Sequence, residues 1–116
     1  MYTLTENKEK NIIYIYIYDK LEESEIASYV EELKKIIDNM DYGFNVCADL
    51  RDADISVLKN SDNFQPIREY GAQKGVKAAV RIMTKAQITM YKNENFKDPN
   101  KIVENEKEAE AFLGYR

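Results

Sequence analysis

Asp49, Arg51, Asp52 and Asp54 place three carboxylates and one guanidinium close together, directly after the apolar run Phe44-Asn45-Val46-Cys47-Ala48. Groups of this kind support three chemistries. Carboxylate oxygens bind Mg²⁺ or Ca²⁺. Carboxylates that converge on a cleft move protons in hydrolysis. A mixed cluster of charges steers and orients a charged partner. The calcium-loop spacing is not met, because no glycine stands at the turn position and no glutamate closes the loop. Aspartates after a strand also form turns and cap helices, and Arg51 can neutralise one of them. The sequence therefore predicts a non-enzymatic binding surface here, with no metal and no cofactor. The alternative is a small carboxylate-based hydrolase, metal-dependent, in which Asp49, Asp52 and Asp54 converge.

The chain has 116 residues and no histidine. That removes the usual general base, the usual proton shuttle and the commonest metal ligand. A Ser-His-Asp or Cys-His mechanism within one chain is excluded, as is a histidine-bound zinc. Cys47 is the only cysteine, so it forms no intramolecular disulfide. Within an apolar run it reads as a buried, unreactive thiol. The four glycines, Gly43, Gly71, Gly75 and Gly114, complete no phosphate-cradling loop. A net charge of −4 with both signs interspersed argues against a nucleic-acid partner, which favours a basic face. The first residues lack a signal-peptide layout, and the apolar run Ile12 to Tyr18 is too short for a transmembrane segment. The expected location is the cytoplasm.

The elements that position the acidic loop follow from periodicity. Tyr2 to Thr5, a polar turn over Asn7 to Lys10, and Ile12 to Tyr18 read as a hairpin. In its second strand Ile13, Ile15 and Ile17 share one face and Tyr14, Tyr16 and Tyr18 the other. Both faces are bulky, so the strand is expected to be covered on both sides, with the tyrosines packed under a helix. A ligand or homodimer surface is the other reading of the tyrosine row. Glu22 to Met40 carries Ile26, Val30, Leu33, Ile37 and Met40 at helical spacing, with Tyr29 and Ile36 widening the stripe and Ser24 or Asp19 as its cap. Phe44 to Leu50 is a core strand. Ile55 to Lys59 forms a turn of helix, and Asn60 to Lys74 a helix with Phe64, Ile67 and Tyr70 inward, stopped by Gly75. Val76 to Met83 is a further core strand, and Thr84 caps a helix that runs to Lys92. After a polar loop, Ile102-Val103 is a short strand. Asn105 and Glu108 then open a last helix presenting Ala109, Phe112 and Leu113.

This order, β-β-α-β-α-β-α-β-α, predicts one α/β domain over residues 1–116. Its sheet is mostly parallel, of about five strands, with an antiparallel N-terminal hairpin and flanking helices. Met83, Ile88, Met90, Tyr91 and Phe96 cluster in sequence and could line a pocket for a lipid or other apolar ligand. A domain of this size uses most of its apolar side chains to complete the core, which is the competing reading.

The element order resembles the STAS superfamily (sulfate transporter and anti-sigma-factor antagonist domains), in particular its small stand-alone bacterial proteins of SpoIIAA-like fold. The resemblance spans nearly the whole chain. It rests on the hairpin, on the helix after Asp19-Lys20-Leu21, and on the strand ending Ala48-Asp49-Leu50. Gly75-Val76-Lys77-Ala78-Ala79-Val80 and the closing Val103 to Leu113 segment complete it. In that family a serine at the start of the helix after the Asp-Leu strand is phosphorylated by the partner kinase. The comparable position here is Ser56, although Ile55 precedes it and no glycine follows. The resemblance implies a regulatory module that recognises a protein partner or a small apolar ligand near the acidic loop. Asp49, Arg51, Asp52, Asp54 and Ser56 would carry that surface.

Overall fold

The computed structural model describes residues 1–54, 56–57, 64–93 and 101–114. Strands β1 (Tyr2–Asn7) and β2 (Ile12–Ile17) form the antiparallel hairpin, with Tyr2 opposite Ile17 and Asn7 opposite Ile12. Its turn closes through Asn7, whose side chain accepts the Lys10 N–H at 3.1 Å, and through Asn11 at φ 55°. Asparagine tolerates that left-handed conformation better than most residues. Strands β3 (Asn45–Asp49), β4 (Ala78–Ile82) and β5 (Lys101–Val103) follow, each parallel to its predecessor. The sheet runs in the order β1-β2-β3-β4-β5.

That sequential order decides where the helices go. Right-handed crossovers between successive parallel neighbours place every connecting helix on the same face. Helices α1 (Glu23–Asp38), α2 (Gln65–Gln73) and α3 (Lys85–Asn93) accordingly contribute Leu33, Ile67 and Ile88 to one core, built on Ile13, Ile15 and Ile17 of β2. Helix α4 (Glu106–Leu113) follows the last strand and is free to take the opposite face. There Ala109 and Leu113 pack on a smaller core that includes Ile12, Cys47, Val80 and Ile82. Each such side chain fully buried is worth about 1.5–3 kcal/mol, so the first face carries most of the stability.

The predicted architecture is the observed one, with local differences. Helix α1 is capped by Glu22, whose N–H donates to the Glu25 carboxylate at 3.3 Å, and not by Ser24 or Asp19. Ser24 lies inside the first turn. Asp19 instead holds φ 57° and joins the acidic loop. Of the predicted stripe, Tyr29, Leu33 and Ile37 are buried, one residue in each successive turn. Helix α2 starts at Gln65 with Pro66 in its first turn, where the missing N–H costs nothing. Gly75, at φ 95°, ends the segment and accepts the Gly43 N–H at 2.8 Å. Residues 58–63 of the predicted helical stretch lie outside the described residues. Thr84 caps α3 as expected: its hydroxyl accepts the Gln87 N–H at 3.1 Å, and the Gln87 side chain accepts the Thr84 N–H at 2.8 Å. Asn105 caps α4 through the Glu108 N–H at 2.9 Å. Phe112 is half-exposed rather than inward, since an eight-residue helix turns only one narrow stripe to the sheet.

The largest correction concerns the tyrosine row. Tyr14 and Tyr16 are 39% and 36% exposed, so no helix covers them. Among the described residues the one helix on this face packs against β4 and β5 and leaves the β1–β2 half open. Tyr16 and Tyr18 stack on each other with ring centroids 5.2 Å apart.

Candidate functional site

The loop after β3 is tied down by its own charges and by three neighbouring elements. Arg51 folds back on Asp49: its Nε donates at 3.0 Å and one terminal nitrogen at 2.8 Å, while its backbone N–H donates to the same carboxylate at 3.1 Å. The same guanidinium reaches Glu106, in the first turn of α4, at 2.6 Å. Forked contact with two carboxylates suits the fixed geometry of arginine. Arg51 therefore staples the loop to α4, and its proton is held even more firmly than usual by Asp49 and then Glu106. Partial burial would raise the Asp49 carboxyl, but the hydrogen bonds and charge of Arg51 outweigh it and hold Asp49 below the usual carboxylate range.

The connection between β2 and α1 braces the other side. The Asp19 N–H donates to the Asp52 carbonyl at 2.9 Å, and the Asp54 N–H donates to the Asp19 carbonyl at 2.9 Å. The Tyr16 hydroxyl donates to the Asp52 carboxylate at 2.7 Å, which raises the phenol above its ordinary pKa. From below, the Gln87 side-chain amide donates to the Leu50 carbonyl at 2.8 Å, so the capping residue of α3 also supports the loop.

Asp54 caps the turn that follows. Its carboxylate accepts the Ser56 N–H at 2.9 Å, and this bond, joined by the Ser56 side chain, lowers its pKa. Asp54 is thus the cap and Ser56 the capped residue. The structure brings Asp49, Arg51, Asp52, Asp54 and Ser56 into one surface, but the three aspartates serve three different partners: Arg51, Tyr16 and Ser56. They do not converge on one centre. Among the described residues no group of three or more acidic or thiol side chains is disposed to hold a metal ion.

Beside the loop lies a groove of about 260 Å³ between α4 and the open half of the sheet. Ile12, Cys47 and Leu113 make its floor apolar, while Asp49, Glu106 and Glu110 stand on its α4 side and Tyr14 and Tyr16 on the other. Burial beneath α4 pushes the Cys47 thiol up to about 11, aided by the negative charge of Asp49, so the thiolate nucleophile is suppressed at neutral pH. The unreactive thiol expected from the sequence is what the fold provides.

The second group of sequence candidates lies apart from this groove. Met83 is buried in the larger core, Ile88 packs against it and Met90 is half-exposed. Tyr91 belongs to α3, and Phe96 lies outside the described residues. Glu106, Gln87, Tyr16 and Asp19 were not anticipated as parts of the site. The Thr84-x-x-Gln87 spacing is a capping-box signal that could have found Gln87, but no local signal exists for Glu106, which is 55 residues from Arg51.

With the geometry established, comparisons with known proteins place the architecture. The fold is similar to that of the anti-sigma factor antagonist SpoIIAA in its unphosphorylated form. The TM-score is 0.60 at 11% sequence identity, over 97% of this chain and 96% of that one. It is equally similar, at TM-score 0.60 and 13% identity, to an uncharacterized protein of the DUF3478 family with a SpoIIAA-like fold from Shewanella loihica PV-4. That match covers 97% of this chain and 92% of the other. No protein-family model and no curated protein sequence matches the chain. The chain thus has a SpoIIAA-like fold, as its element order implied. Among the described residues no helix is long and apolar enough to cross a membrane.

Proposed function

We propose that this chain is a non-enzymatic, cytoplasmic binding module of the STAS type. Its recognition surface is the β3 loop together with the groove beside α4, and its occupant is a segment of a protein partner. The observation that carries this reading is the size and lining of the groove. Small-molecule pockets usually enclose about 300–1,000 Å³, and this one, at about 260 Å³, falls below that range. It suits one or two apolar side chains presented by a larger partner. The uncovered strip over β1 and β2 is about 10 Å wide, close to the width of one helix, about 10–12 Å. Glu106, Glu110 and Asp52 around the groove favour basic residues flanking the inserted apolar ones. The likeness of fold to an anti-sigma factor antagonist supports a regulatory role of this kind.

The test is a partner captured from the native host by crosslinking, then bound as a purified component to wild type and to a D52K/E110K variant. Both residues are exposed and neither holds α4 in place. The expected result is a loss of about tenfold or more in affinity, steeper at low salt, with an unchanged circular dichroism spectrum. Equal affinity in the folded variant rules out this surface. Arg51 is unsuitable as the first target, because reversing its charge would also release α4.

A further inference from the structure

A second, larger cavity, of about 470 Å³ and partly open, lies mainly on the opposite face of the sheet between the strands and helices α1 and α2, and reaches Lys101 and Phe112 at the β5–α4 edge. Its origin is a shortage of side-chain volume. Ala48 of β3 and Ala79 of β4 stand where larger residues would fill the layer, and Gly71 of α2 faces them across the gap. β3 is the central strand, flanked on both sides, and yet Val46 and Ala48 are only half-buried. A position of that kind is ordinarily sealed, because protein interiors pack to the density of organic crystals. Gly71 adds to the case. Glycine within a helix is destabilising relative to alanine, and a Cβ here would meet only the Ile37 Cδ1, at 4.0 Å. The helix thus forgoes a stabilising methyl group that the space would accept.

The charges around this cavity have one sign. The chain carries 21 acidic and 17 basic side chains. Among the described residues the cavity is nonetheless lined by Arg68, Lys77, Arg81 and Lys101 and by no carboxylate. Arg81 is engaged within the chain. Lys77 precedes β4, and Lys101 opens β5 beside Val80, so both lie toward the β4–β5 edge. Tyr29, which also lines the cavity, is buried and stays neutral, since burial drives its pKa well above the ordinary range.

We infer that this cavity binds a single-chain amphiphile with an anionic head, of the fatty-acid class. Its alkyl chain lies over Val46, Ala48 and Ala79, and its head group meets Arg68, Lys77 or Lys101. The volume falls within the usual ligand range. An apolar chamber takes the chain by removing its surface from water, and a cationic rim without competing carboxylates selects an acidic head over a neutral or basic one. Leu50 and Val57, which bracket the acidic loop, line the same cavity. The inference goes beyond the proposed partner surface and does not depend on it, because the two sites lie mainly on opposite faces of the sheet and share only Ile15 among the described lining residues.

The experiment is equilibrium binding of laurate, dodecanol and dodecylamine to the full chain, each below its micelle concentration and after removal of co-purified lipid. Laurate should bind saturably, and dodecylamine at least about tenfold more weakly. Ala48→Leu should abolish binding of all three by filling the cavity, with the fold retained. Ala79→Leu provides the same test from the neighbouring strand if the first variant fails to fold. Arg68→Glu with Lys77→Glu should weaken laurate by about tenfold while leaving dodecanol nearly unchanged. The inference is overturned if wild type binds none of the probes, if laurate and dodecylamine bind alike, or if a folded cavity-filling variant binds laurate as wild type does. None of these outcomes bears on capture of a protein partner at the acidic loop.

Discussion

The two faces of the sheet are covered unequally, and on the proposed reading the inequality separates stability from recognition. One face lies beneath three helices and buries Ile13, Ile15 and Ile17 of β2 with Tyr29, Leu33 and Phe44. The other carries one eight-residue helix, so that the tyrosines of the same strand remain half-open beside an acidic groove. The cause is topological. Crossovers of one hand crowd the first face, and only the terminal helix is left for the second. A strand with bulky residues on both sides is therefore not necessarily buried on both. Here it presents an open face beside an acidic groove on one side and a core on the other.

The sharpest test of this contrast compares one deletion on each face. Phe44→Ala removes a ring that is 1% exposed, and should cost about 3–5 kcal/mol in urea unfolding. Tyr14→Ala removes a ring of similar size from the open side, and should cost only about 1–2 kcal/mol. Equal losses would mean that the tyrosine row is as much a part of the core as the isoleucine row.

The contrast was only partly legible in the sequence. The Ile/Tyr alternation of β2 announced two faces, and the spacing of Tyr29, Leu33 and Ile37 announced the helix over one of them, because both are local periodicities. How far the second face would be covered depends on where α4 lands, which no local pattern encodes. The acidic loop was legible as a cluster. Its staple was not, since Glu106 meets Arg51 only after the whole sheet is assembled. The cationic cavity was missed for a different reason. In the sequence, large residues such as Met83 and Met90 point to an apolar pocket, whereas the cavity arises where Ala48, Gly71 and Ala79 leave volume unfilled.

Arg51→Ala should have the next largest effect. It removes three side-chain contacts to Asp49 and Glu106. Hydrogen bonds to charged groups are worth about 1.5–3 kcal/mol, but this cluster is partly exposed and solvent screening reduces its worth. A loss of about 1–2 kcal/mol is therefore expected. The change should concentrate on the second face. Cys47, with its thiol held near 11, should react slowly with iodoacetamide in wild type and markedly faster in the variant, as α4 loosens above it. Labelling that stays slow would show that α4 is held by Ala109 and Leu113 alone.

The pH dependence of the same pair is a smaller effect of defined sign. Asp49 has a folded-state pKa below its unfolded value. Its contribution is complete above the unfolded carboxylate value, about 3.9, and is lost as the pH falls through the lower folded-state value. Wild type and Arg51→Ala should thus converge in stability as the medium is acidified through that window. A gap that persists unchanged below it would assign the role of Arg51 to packing of its alkyl stem rather than to its charge.

Asp52→Asn should change stability least. The Tyr16–Asp52 bond lies at the surface, where water replaces either partner, so the melting temperature should stay within the scatter of replicate measurements. Affinity for a basic partner segment should nevertheless fall, because the substitution removes a negative charge from the groove while leaving its shape intact. A variant that melts like wild type and binds more weakly would show that the open face contributes to recognition without contributing to the fold. A variant that loses stability but binds normally would reverse that assignment, making the Tyr16–Asp52 contact a structural tie between β2 and the loop.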